Sequence, residues 1–95
     1  MAYYFRNLES GVMEKVISHS NFLTIYALDR TRCKRIFMTS DLDILHSDYE
    51  FEIKAKSYGT LYKAQAESKT QLANFVSNLY KNLTSYENET LAIMA

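Results

Sequence analysis

Between Tyr49 and Lys56, apolar and charged side chains alternate without a break. Tyr49, Phe51, Ile53 and Ala55 share one parity; Glu50, Glu52, Lys54 and Lys56 share the other. A period of two is the pleat of a strand with one face buried and the other in water, and it does not fit a helix. The chain must therefore build a sheet that has an inside. Ser57-Tyr58-Gly59-Thr60 follows as a tight turn, with glycine supplying the positive φ, and a second strand runs from Leu61 to Ala66. A two-residue Tyr58-Gly59 loop sets Ala55 opposite Tyr62, Ile53 opposite Ala64 and Phe51 opposite Ala66, all on the apolar face. The same register sets Lys54 opposite Lys63, an unfavourable pair that Glu52 relieves only diagonally.

A helix comes next. Ser68-x-x-Gln71 is a capping box, and Leu72, Phe75, Val76, Leu79 and Leu83 follow at offsets of three and four, a single apolar stripe. The spacing predicts a helix from Lys69 to Leu83, packed across the apolar face of the hairpin. The domain is expected over 1–84. Residues 85–95 read as a C-terminal tail that frays, or docks on a partner through Leu91, Ile93 and Met94.

The first half is less strongly patterned. Phe22 to Leu28 is apolar on both faces and reads as a central strand. Cys33 to Met38 is its hairpin partner, through Asp29-Arg30-Thr31-Arg32. Residues 8–17 fit two patterns. Leu8, Val12, Val16 and Ile17 make a helical stripe, while Val12-Glu14-Val16 makes a strand. Gly11 weighs against the helix, and a strand over 11–17 is preferred. Ser40-x-x-Asp43 is expected to cap a short helical turn through Leu45. The order predicts an α+β domain: a curved antiparallel β-sheet of about five to six strands, closed by one C-terminal amphipathic helix. The alternative has an additional N-terminal helix in a two-helix α/β sandwich. In outline the preferred order resembles a pleckstrin-homology-like barrel.

Composition narrows the function. The chain has 95 residues, enough for one domain, and 47% of them are hydrophobic, too many for a disordered segment. Eleven basic and eleven acidic side chains cancel, so a polyanion has to be held by a local patch. Cys33 is the only cysteine, which excludes an internal disulfide and points to a reducing, cytoplasmic setting. Met1 to Arg6 has no apolar core of a signal peptide, and no apolar run approaches the ~20 residues of a membrane span, so no membrane partner is expected. Tyr, Asn, Lys and Ile together suggest AT-rich coding, as in some phage and bacterial genomes, and hence an accessory protein of such a source.

No cofactor is expected, because Gly11 and Gly59 are the only glycines and form no phosphate cradle. Asp41, Asp43 and Glu52 match the acidic positions of a calcium loop, but Leu45 and His46 occupy the positions of a ligand and the required glycine. This stretch reads as a solvated connection into a strand. Cys33 lies among Arg32, Lys34 and Arg35, a setting that activates thiols, yet nothing in the sequence brings His19 or His46 to it as a base. The hairpin with Ser68-Lys69 and its helix resembles the C-terminal half of a double-stranded-RNA-binding domain, but departs from it at Thr70 and Gln71, where that family carries lysines. The strongest functional signal is the basic run Arg30, Arg32, Lys34 and Arg35, with Tyr58 and Tyr62 as contact surface for a partner. The expectation is a small non-catalytic protein-interaction module, an adaptor or inhibitor of a larger partner, with a homodimer allowed by its apolar strands. The alternative is RNA or single-stranded nucleic acid gripped by the basic hairpin and stacked on tyrosines.

Overall fold

Among the described residues, seven strands precede one helix: β1 (Ala2–Asn7), β2 (Met13–Ser18), β3 (Phe22–Ala27), β4 (Cys33–Phe37), β5 (Leu42–Ser47), β6 (Glu50–Ala55), β7 (Gly59–Gln65) and α1 (Lys69–Met94). The computed structural model describes residues 2–27, 33–39 and 41–94, with side chains described through Asn82. All strands join one antiparallel sheet of order β4-β3-β2-β1-β7-β6-β5, with β1 at its centre. Among the described residues, β4 pairs only with β3 and β5 only with β6, so the sheet stays open between them.

Connectivity requires this open sheet to curl. Flat, its outer strands would lie about 29 Å apart at the usual strand spacing. Yet Phe37 ends one edge strand and Leu42 begins the other. Five residues of chain reach at most about 18 Å. The sheet therefore bends until its edges approach each other, and α1 fills the concave side. The link is pinned at both ends: the Met38 amide donates to the Asn21 carbonyl at 2.8 Å, and the Lys56 amide donates to the Asp41 carbonyl at 3.2 Å. The Asp41 carboxylate accepts from the Thr39 hydroxyl and, at 2.9 Å, from the Ser57 hydroxyl, and these bonds hold its pKa below the usual aspartate value.

The core is aromatic. Phe5 and Phe75 are fully buried, with ring centroids 4.7 Å apart and edge-on. Tyr3 and Phe51 complete the cluster, 4.9 and 5.2 Å from Phe75. Leu72, Val76 and Leu79 of the helical stripe are buried with it, and the side chain of Leu83, the last of the stripe, lies outside those described. Ser68 caps α1 as its spacing predicts: its hydroxyl accepts from the Gln71 amide at 3.1 Å, while the Gln71 side chain reaches back to the Glu67 amide at 2.7 Å.

Several expectations are corrected. The sheet has seven strands rather than five or six, and it is an open sheet rather than a closed barrel. The additional strand is β5, over residues expected to form a helical turn. Its inward positions Leu42, Ile44 and His46 oppose Ala55, Ile53 and Phe51, but Leu45 breaks the alternation by facing outward. Residues 13–18 form a strand, which removes the N-terminal helix of the two-helix sandwich. β3 is second from the edge, not central. The backbone of α1 continues to Met94 instead of ending at Leu83, because no glycine or proline interrupts it. The hairpin register differs by two residues, with Ile53 opposite Tyr62 and Glu52 opposite Lys63. Ala55 pairs with Gly59 around a longer turn, and a bulge after Ile53 absorbs Leu61 and restores parity. The Lys54–Lys63 repulsion is thereby replaced by an opposite-charge pair.

Candidate interaction face

The concave face is occupied by the core, so exposed chemistry collects on the convex face of β1–β4. Strand alternation sorts the side chains. In β1, Tyr3 and Phe5 point inward while Ala2, Tyr4 and Arg6 are exposed. Registers then align the outward residues in ladder rows. Arg6 faces Met13; Tyr4 faces Lys15, which faces Tyr26, which faces Cys33. Ala2, Ile17, Thr24 and Arg35 make the next row, and Phe22 faces Phe37 beyond it. Directly opposed side chains have Cβ atoms about 5 Å apart, and rows repeat every ~6.7 Å along the strands.

This face is aromatic and cationic. Tyr4, Tyr26 and Phe37 are 41%, 39% and 61% exposed. The His19 ring stacks on Phe22 at 4.3 Å, and the Arg35 guanidinium lies over the Phe22 ring, 5.8 Å from its centroid. Phe37 leans on the same ring at 5.9 Å. The Arg6 guanidinium is steered by a 2.8 Å bond to the Gly11 carbonyl in the β1–β2 turn. Thr24 is buried although it has outward parity, between Ile17 and Arg35 in its row. No carboxylate occupies an outward position among the described residues of β1–β4. Glu14, the acid of β2, has inward parity opposite Phe5 and accepts from the Tyr62 hydroxyl at 3.0 Å. The convex face of β5–β7 differs, since Asp43, Glu50 and Glu52 stand there with Lys54 and Lys63.

Of the residues singled out in the sequence, those described are not brought together on one face. Arg30 and Arg32 lie outside the described residues. Lys34 has inward parity opposite Ile25, and its ammonium donates to the Leu61 carbonyl of β7 across the open side of the sheet. Arg35 reaches the convex face. Tyr58 is highly exposed at the tip of the β6–β7 turn. Tyr62 is buried, so its ring is not contact surface for a partner. Burial, with the Glu14 carboxylate beside it, pushes its phenol well above the usual tyrosine pKa.

Tyr4, Arg6, Lys15, Phe22 and Phe37 were missed. The alternation Tyr3-Tyr4-Phe5-Arg6 carried a signal for two of them, but only the pairing of β1 with β2 shows that they share a surface with Lys15. Among the described residues, no group of three or more His, Cys, Asp or Glu is placed to hold a metal ion, and no helix is long and apolar enough to cross a membrane. No protein-family model, curated protein or solved structure matches the chain.

Proposed function

We propose that the protein is a non-catalytic interaction module that holds its partner against the convex face of β1–β4. One observation carries this reading: exposed rings and cations share that face, and no carboxylate stands among them. Exposed aromatic area has a hydration cost that a partner relieves, and tyrosine and arginine anchor interfaces. The cations add long-range attraction for an acidic partner although the whole chain is neutral. A homodimer through this face is disfavoured, because a two-fold axis would set like charges against each other.

The test compares affinity capture by the native chain, by Lys15→Glu/Arg35→Glu, and by Asp43→Lys/Glu50→Lys on the other half of the sheet. Circular dichroism and urea midpoints establish that all are folded, and each capture is run with and without nuclease. The expected result is loss of the bound partner, at least tenfold, in the first variant alone. Retention by that variant, or equal loss in both, overturns the proposal.

A further inference from the structure

We infer that the partner of this face is single-stranded nucleic acid, with unpaired bases stacked on Tyr4, Tyr26 and Phe37 and phosphates drawn to Arg6, Lys15 and Arg35. This rests on the reading of the face as the binding surface. Two features of the ladder select this ligand. The first is charge: three cations and no carboxylate favour a polyanion. The second is the interleaving of ring and charge. Lys15 stands between Tyr4 and Tyr26 in one row. Arg35 shares β4 with Phe37, two residues away. A single strand offers the complementary alternation of phosphate and base, and every base has a face that stacks on an aromatic ring regardless of sequence.

Two other anionic partners fit less well. In a duplex the base faces are consumed by its own stacking, and reading its major groove takes a protruding helix or ribbon. Here the surface is a curved sheet with α1 on its opposite side. An acidic peptide would engage the cations and leave the rings without a matching planar group. Arg35, held over Phe22, presents a planar guanidinium beside the exposed Phe37 ring, an arrangement that grips a phosphate while a base stacks alongside.

Fluorescence anisotropy with labelled twelve-nucleotide single strands of mixed sequence tests this, alongside the matched duplex and a twelve-residue polyglutamate. The single strand is expected to bind at low salt, with log K falling against log salt at a slope of about −2, as for three neutralised phosphates. Arg35→Gln is expected to shallow that slope by about 0.7. Phe37→Ala is expected to weaken binding roughly tenfold at an unchanged slope. Absence of single-strand binding overturns the inference. So does equal affinity for duplex or polyglutamate, or full binding by Phe37→Ala. If oligonucleotides fail while Lys15→Glu/Arg35→Glu still loses a captured protein, the nucleic-acid inference falls and the interaction module stands. If that variant loses nothing, both fall.

Discussion

Tyr62 and Phe75 show how single residues divide between core and surface. Phe75 meets Tyr3, Phe5 and Phe51 from the helix side and is the contact through which α1 holds β1 and β6. Phe75→Ala is expected to cost about 3–5 kcal/mol, read as a lowered urea midpoint at unchanged slope. Phe75→Leu, which keeps most of the volume, is expected to cost clearly less. Tyr62 has a polar end that the core accommodates only through Glu14. Its phenol pKa is raised in the folded state, so the unfolded chain releases the proton first, near pH ~10, while the folded chain keeps it. Stability is therefore intact below that pH and falls as pH rises above it. Tyr62→Phe is expected to flatten this alkaline decline in urea midpoints measured from pH 8 to 11; an unchanged decline contradicts the assignment. The sequence held the clue to Tyr62, because the alternation that set it on the apolar face also withdrew it from any partner.

Turns and bulges decide what becomes of each strand's parity. The Tyr49 to Lys56 alternation was legible because Phe51, Ile53 and Ala55 all face the core, although Tyr49 at its start is exposed. β5 was not, because Leu45 points outward and the Ser40-x-x-Asp43 spacing imitates a helix cap. The hairpin after β6 was legible as a hairpin but not in its register. A shift of two residues keeps every side chain on its face, so patterning could not distinguish the two pairings. Turn geometry could: Gly59 has φ +108° and pairs with Ala55, followed by the bulge. A Cβ at Gly59 would meet nothing within 4 Å, so the cost of Gly59→Ala is backbone strain alone. That substitution is expected to destabilise by about 1 kcal/mol or more, whereas Thr60→Ala beside it, which loses only an exposed bond to Glu52, should cost less. Equal effects would show that the turn does not depend on left-handed backbone.

Over the whole molecule, a neutral composition conceals an uneven surface. The outward positions of β1–β4 carry Arg6, Lys15 and Arg35, while the acids of the sheet's convex side collect on β5 and β6. The basic run Arg30, Arg32, Lys34 and Arg35 stands out in the sequence because four cations fall within six residues, but alternation divides its described members, sending Lys34 inward and Arg35 outward. The face itself is assembled from positions 4 to 37, and no local window of sequence contains it. Pairing of β1 with β2, β2 with β3 and β3 with β4 creates it, so it became visible only with the topology. The start of the helix and its apolar face, by contrast, were legible from its cap and stripe, since both are local, whereas its end at Met94 was not.

The most direct test of the binding face is an amide NMR titration of the full chain with the single-stranded twelve-mer. Shift changes concentrated at Tyr4, Lys15, Tyr26, Arg35 and Phe37, with Asp43, Glu50 and Glu52 unmoved, are the predicted result. Changes centred on β5 and β6, or no change at a concentration that saturates the anisotropy signal, would contradict the claim that the convex face of β1–β4 is where this protein binds.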